Sequence, residues 1–324
     1  MKKIGIILNP SAKINSRKTA VVLDAISGIF GDKALVRTTR SKNELPRVIK
    51  EFTGEGIRIL LISGGDGTLC NVISDYIKIS GEEELPVVVP LMGGTINMIG
   101  ADAGLRDNQL TLCKKIKDRV SGNGSIAVTE RGLLRIKDDK LPEPVYGFSW
   151  IDGLLYRFLL DYYNQGAGIQ VASIMTVKTI LTLLSNADHE LFRNFPSAVH
   201  IDGKALPHEG HVLIIASSLK KFVFGFDMYA EDTIPGKSFN AIYLREDYIK
   251  KSRHKLPLGL YKSLKSDKEG NFINKSVESL RVERNRGYII DGEIFKNDDP
   301  TNVTIEPGPT LNIFSFQGEK EVNI

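Results

Sequence analysis

Only two of the 324 residues are cysteine, Cys70 and Cys113. That is too few for a disulfide framework and points to a reducing cytoplasm. The chain also lacks an uninterrupted run of ~18 uncharged apolar residues, which excludes a membrane-spanning helix. Its most hydrophobic later stretch, Gly166 to Leu184, contains Lys178 and reads as a buried or interfacial helix. The opening Met1-Lys2-Lys3 leads into apolar residues, but Asn9-Pro10 stops them too soon for an export signal. Histidine is sparse and scattered, and His208-Glu209-Gly210-His211 lacks the spacing of a zinc helix, so no histidine metal cluster is expected. There is no internal repeat and no low-complexity linker.

Net charge is small at +4, yet unevenly spread. From Arg245 to Arg286 twelve basic residues face six acids, so this segment carries +6 and the remainder −2. Stacking aromatics are not interleaved with these charges, which argues against nucleic acid. A solvated face is the plain reading. The alternative is an anionic membrane surface, where each cation contributes about 1 kcal/mol.

At this length two domains are natural, and the composition, 42% hydrophobic and 25% charged, is that of a globular protein. Lys3 to Leu8 predicts a strand ending at Asn9-Pro10. Arg17 to Phe30 has helical spacing, and Ala34 to Thr38 is a second strand. Ser41 and Glu44 have the spacing of a capping box for a helix through Val48, Ile49 and Phe52, closed by Gly54 and Gly56. Ile57 to Ile62 predicts a buried strand, Leu69 to Ile79 a helix, and Val87 to Val89 a fourth strand. This order implies a parallel sheet covered on both faces, with ligands bound beyond the carboxyl ends of its strands.

After about residue 125 the pattern changes to short strand-like runs: Leu133-Ile136, Val145-Trp150, Ala198-Ile201, His211-Ala216, Asn240-Leu244, Ser279-Val282, Gly287-Ile290, Asn302-Ile305 and Thr310-Phe316. The expected architecture is therefore an α/β ligand-binding domain over residues 1–125 and a β-sandwich domain over 126–324, the extreme C-terminus being a candidate to return to the first. Exposed strand edges in the second domain offer a route to a homodimer.

Three strand ends of the first domain carry turn residues: Asn9-Pro10-Ser11-Ala12-Lys13, Gly64-Gly65-Asp66-Gly67-Thr68, and Pro90 to Asn97 with Gly93, Gly94 and Thr95. In a parallel sheet they share one edge. Gly64, Gly65 and Gly67 let the backbone approach a ligand and are expected to take positive φ, converging N–H groups on phosphate oxygens. The helix start near Thr68 adds its positive end. A carboxylate in an anion site makes sense if Asp66 holds a Mg²⁺ that neutralises the phosphates. The spacing matches neither the Walker loop nor the dinucleotide fingerprint. Trp150 to Phe158 could line an acyl cleft or simply be core.

Taken in order, Asn9-Pro10, Gly64-Gly65-Asp66-Gly67-Thr68-Leu69, Pro90 with Gly94-Thr95 and Asn97, and Asp291-Gly292-Glu293 resemble the diacylglycerol kinase catalytic-domain family, which is similar to sphingosine and ceramide kinases and, more distantly, to NAD kinases. The resemblance implies an ATP- and Mg²⁺-dependent lipid kinase acting peripherally at the inner membrane face. In it Asn9, Pro10, Ser11, Lys13 and Thr39 line the ATP site, Gly64, Gly65, Asp66, Gly67 and Thr68 hold phosphates and metal, and Gly94, Thr95 and Asn97 close the site. Asp291 corresponds to the general base, with Glu293 supporting it or, like Asp66 and Asp291, contacting metal. Without that resemblance Asp291-Gly292-Glu293 is only a turn. The chain departs from the family at Lys13, where glycine is usual, at Cys70-Asn71, where Asn-Glu is usual, and at Met98, where an acid is usual. The alternatives are a nucleotide- or lipid-binding member without turnover and a kinase for a soluble nucleotide such as NAD.

Overall fold

Apolar runs too short for helices, each followed by a helix-length amphipathic segment, leave the first hundred residues one economical solution, a parallel sheet with helices packed on it. A computed structural model describes residues 4–12, 15, 19–94, 97–122, 125–164, 175, 178–179, 181–182, 184–186, 188–221, 227–252 and 266–323. They form two compact units. The first comprises residues up to Leu133 together with Pro309 onward, and the second the remainder from Leu134 to Gly308. The unit boundaries fall inside two long strands.

In the first unit β1 (Ile4–Leu8), β2 (Ala34–Thr38), β3 (Ile59–Ser63) and β4 (Val87–Pro90) are all parallel, in the order β4-β3-β1-β2. Every residue of β1, β3 and β4 is buried, as a sheet covered on both faces requires. The covering helices are α1 (Thr19–Phe30), α2 (Leu45–Gly54), α3 (Asp66–Ser80), the short α4 (Met98–Asp102) and α5 (Gln109–Gly122). Gly5 lets Phe52 lie directly on the sheet, since a Cβ there would stand 2.7 Å from its ring. The expected capping box does not form. Ser41 makes no side-chain cap, and Glu44 instead accepts from the Arg40 N–H at 2.9 Å, within a 3₁₀ turn that precedes Leu45. The unit is completed by the end of the chain. Ile313 pairs in parallel with Val88, and β15 (Lys320–Asn323) pairs antiparallel with the start of β5 (Ser125–Asp138).

The second unit is antiparallel and rich in strands: β6 (Val145–Gly147), β7 (Ser149–Gly153), β8 (Ala198–Ile201), β9 (Lys204–Ala205), β10 (Leu213–Ser217), β11 (Phe239–Leu244), β12 (Phe272–Val277), β13 (Leu280–Ile290) and β14 (Glu293–Phe314). Its main order is β12-β11-β10-β7-β13-β14. The two runs expected at Ser279-Val282 and Gly287-Ile290 are one strand, β13, whose register shifts between Val282 and Gly287. Exposed Arg284 and Arg286 interrupt the apolar alternation there, while pairing resumes on both sides. Likewise Asn302-Ile305 and the expected run from Thr310 as far as Phe314 belong to β14, Ser315 and Phe316 lying beyond its end, because proline's fixed φ is compatible with extended backbone. The apolar helix expected at Ile169 to Leu184 lies largely outside the described residues. Trp150 to Phe158 divides between β7, which supplies core, Trp150 being fully buried with its ring 5.7 Å from that of Tyr288, and α6 (Leu154–Asn164), whose buried residue is Tyr156. Among the described residues no helix is long and apolar enough to cross a membrane.

Candidate functional site

The carboxyl ends of β1, β2, β3 and β4 lead into Asn9, Thr39, Gly64 and Leu91, which places the sequence-predicted loops along one sheet edge. α3 begins at Asp66, two residues before the expected Thr68, so Asp66, Gly67 and Thr68 form its first turn behind Gly65. Gly65 offers no side-chain cap, leaving the helix start without one.

The positive φ expected of Gly64, Gly65 and Gly67 is not adopted. Gly65, Gly93 and Gly94 are small because the two loops touch backbone to backbone, and Gly64 because the Thr68 side chain packs against it. A Cβ on Gly94 would stand 2.5 Å from the Gly65 Cα, one on Gly93 2.8 Å from the Gly64 N, and one on Gly64 2.5 Å from the Thr68 Cβ. The left-handed positions belong to Met92, with φ 55°, and Asn97, with φ 52°. Asparagine tolerates that region, and here its side chain closes the loop. The Gly94 N–H donates to Asn97 Oδ1 at 2.8 Å, and Asn97 Nδ2 donates to the Gly94 carbonyl at 2.9 Å.

Asp66 fastens this loop to α3. Its carboxylate accepts from the Met98 N–H at 2.9 Å and the Ile99 N–H at 3.1 Å, capping α4. Burial raises the Asp66 carboxyl above its ordinary value, although those two N–H groups pull it down. On the other side Asn9 Nδ2 donates to Thr68 Oγ1 at 2.9 Å, and the Ser11 N–H donates to Asn9 Oδ1 at 2.9 Å. A hydroxyl that accepts keeps its own proton to donate. Thr39 is buried, and its N–H donates to the Leu8 carbonyl at 3.0 Å. Asn71 Nδ2 donates to the Gly67 carbonyl one turn back at 2.8 Å, and Cys70 is buried. Pro10 follows Asn9 in the same turn. Lys13 and Thr95 lie outside the described residues.

Sequence reasoning missed the polar layer beneath this edge. Asn15 is wholly buried and donates to the Asn9 carbonyl at 2.8 Å and to Ser63 Oγ at 2.9 Å. Gln109 Nε2 donates to Asn15 Oδ1 at 3.1 Å, and Gln109 Oε1 accepts from Ser63 Oγ at 2.5 Å. A fully satisfied buried network of this kind fixes the positions of the groups it joins, here the loops after β1 and β3. The edge suits a phosphate, since small residues, backbone N–H groups, a hydroxyl and an uncapped 15-residue helix meet there. It suits a metal only with help. Among the described residues no group of three or more His, Cys, Asp or Glu could hold an ion, so a Mg²⁺ beside Asp66 would take its remaining ligands from phosphate and water.

In the second unit Asp291 and Gly292 are the two turn residues between β13 and β14, at φ 45° and 85°, with Ile290 paired to Glu293. That is the Asp-Gly signature of a type I′ hairpin. The turn explains the sequence but not the burial. Asp291 is 3% exposed, and its carboxylate accepts from the Phe148 N–H at 2.8 Å, the Ser149 N–H at 2.9 Å and the Ser149 hydroxyl at 2.8 Å. Glu293 opens β14 and is partly exposed. A second buried cluster was not anticipated: His211 Nε2 meets Asp152 Oδ2 at 2.9 Å, His211 Nδ1 meets Ser197 Oγ at 2.7 Å, and Asn285 Nδ2 donates to Asp152 at 2.7 Å.

The basic segment is largely neutralised where it is described. Arg245, Lys250, Lys251, Lys275, Arg281 and Arg284 pair with Asp247, Asp188, Glu269, Asp202, Glu283 and Glu209. The segment's cations Arg253, Lys255, Lys262 and Lys265 lie outside the described residues.

The diacylglycerol kinase catalytic domain family model matches residues 3–127. No curated protein matches the chain. Two solved structures from Bacillus anthracis str. Sterne, both provisionally named diacylglycerol kinases, superpose over nearly the whole chain. One has 16% identity, covers 98% of each chain and has a TM-score of 0.68. The other has 15% identity, covers 97% of each and has a TM-score of 0.67. A third from the same organism, named a diacylglycerol kinase, has 14% identity and a TM-score of 0.60, covering 98% of this chain and 97% of that one. At such identities these likenesses establish the fold.

Proposed function

We propose, from the premise that residues 3–127 belong to the diacylglycerol kinase catalytic-domain family, that this protein transfers the γ-phosphate of ATP to a lipid hydroxyl. The observation that carries the reading is the interlocked edge formed by Gly64-Gly65, Gly93-Gly94, Asn9 and Thr68 at the start of α3. Residues without side-chain bulk allow phosphate oxygens to reach backbone N–H groups, and Thr68 adds a hydroxyl donor. Asn97 and Asp66 hold the second loop against the first, so the site is preorganised and little is left to order when the nucleotide binds.

Phosphoryl transfer asks mainly for positioning and charge neutralisation. Mg²⁺, when bound near Asp66, would offset the phosphate charge. Asp291, with Glu293 beside it in sequence, is the proposed base. As the lipid oxygen bonds to the γ-phosphorus, its proton passes to Asp291, the bond from the γ-phosphorus to the bridging oxygen breaks, and ADP leaves.

The test is transfer of labelled phosphate from ATP to a panel of diacylglycerol, monoacylglycerol, phosphatidylglycerol, sphingoid and ceramide acceptors in vesicles. Turnover on any of them that is lost in Asp66→Ala supports the reading, and no turnover on all of them overturns it. A second reading is a nucleotide- or lipid-binding member without turnover. It is favoured by Asn71 and Met98, uncharged where the family carries acids, and it predicts ATP binding by calorimetry without transfer.

A further inference from the structure

Building on the proposed role of Asp291 as the base, we infer that Ser149 is its positioning residue. A type I′ turn needs an aspartate or asparagine followed by glycine for backbone reasons alone, and such residues usually face water. Asp291 is instead buried, in a cradle built by three consecutive residues of the chain. Gly147 makes the room, because a Cβ there would stand 2.8 Å from Asp291 Oδ2 and 2.6 Å from Ile290 Cγ2. Phe148 donates its N–H to Oδ2, and Ser149 donates both its N–H and its hydroxyl to Oδ1. The cradle is tied to the turn by pairing of β7 with β13 at Ile289 with Ile151 and Ile290 with Trp150, and by the Asp291 N–H donating to the Ser149 carbonyl at 3.3 Å.

The cradle therefore sets the plane of the carboxylate as well as its location. The Phe148 and Ser149 N–H bonds come from the backbone and persist through most substitutions. The hydroxyl is the contribution that a side chain makes. Removing it takes one of the two bonds that Ser149 makes to Oδ1 and so loosens the carboxylate on that side, which lowers the fraction of time it faces an incoming hydroxyl without altering nucleotide binding. Ser149 touches no reacting atom in this role, and its effect passes through Asp291.

The experiment compares wild type with Ser149→Ala, Ser149→Thr, Ser149→Val and Asp291→Asn, using labelled ATP and diacylglycerol-containing vesicles, with Tm measured for each. The expected result is a fall in kcat of about tenfold or more for Ser149→Ala with KM for ATP within about twofold, as befits an interaction used in the transition state. Thr and Val have the same shape and differ in the hydroxyl, so the Thr variant keeps most of the wild-type kcat and the Val variant does not, whatever their shared steric cost. Equal kcat in that pair, or wild-type kcat in Ser149→Ala while Asp291→Asn is inactive, overturns the inference and leaves the base assignment standing. Wild-type kcat in Asp291→Asn overturns the base assignment and the inference together.

Discussion

Asn9 Nδ2 donates to Thr68 Oγ1 across 2.9 Å, joining residues 59 positions apart and tying the end of β1 to the first turn of α3. The bond fixes the direction of the Thr68 hydroxyl. Asn9→Ala should weaken ATP binding by about tenfold, near the upper end of one net hydrogen bond at ~1.4 kcal/mol. Calorimetric titration with ATP checks this, and an unchanged affinity would remove Asn9 from the site.

Gly94→Ala tests the packing of the two loops. Its Cβ would come within 2.5 Å of the Gly65 Cα, backbone that cannot swing aside. The strain of forcing a methyl into such a contact is ~1–3 kcal/mol, so ATP affinity and Tm should both fall. Gly54→Ala, at a position where a Cβ meets nothing within 4 Å, should leave both near wild type.

Asp66 carries a pH signature whose sign is definite. Its folded-state pKa is raised, so the folded protein holds the proton more readily than the unfolded chain. The stability associated with this group is present below the ordinary value of 3.8 and is lost as pH rises through the raised value. Thermal unfolding of wild type and Asp66→Asn across the acidic range should therefore diverge, wild type losing the protonated carboxyl's contribution as pH climbs above that ordinary value. Parallel curves would contradict the raised pKa.

Asp152→Ala should destabilise the protein without affecting nucleotide binding. It strands His211 and Asn285, both buried and both bonded to the carboxylate, and each orphaned polar group costs ~1–3 kcal/mol. A fall in Tm with unchanged ATP affinity is the expected pair of results.

Cys113 is buried, and burial pushes its thiol up to about 12. Cys70 is buried too. Native protein should leave both thiols unreacted toward a disulfide reagent at neutral pH, since the thiolate is the reacting form, and denaturant should expose both. Titration of thiols with and without denaturant reads this directly.

Much of this architecture could be read from periodicity. The run Ala198-Ile201 is β8 from end to end, and the four parallel strands with their loops at one edge follow from short runs that end at Leu8, Thr38, Ile62 and Val89. What escaped depends on contacts distant in sequence. β12 contains Asn274, a polar residue that looks out of place in a strand until it is seen donating to the Met228 carbonyl and accepting from the Ala230 N–H. Asn15 and Gln109 are ordinary loop and helix residues in sequence, and only the fold brings them to Ser63 across 48 and 46 positions. The glycine loops were found for a partly mistaken reason, because sequence marks glycine's presence without saying whether it answers a torsion angle or a neighbour. Asp291 was found through family resemblance, while its cradle at residues 147–149 carries no local signal.

The pairing of Ile313 with Val88 and of β15 with β5 has a consequence for how the molecule comes into being. During synthesis most of the first unit emerges early, but the strands that finish its sheet are made almost two hundred residues later. Until then β4 and β5 present unpaired edges, the kind of surface on which nascent chains aggregate. A fragment ending near residue 127 would inherit that exposure permanently, so recombinant work on the first unit is best done with residues 309–323 attached.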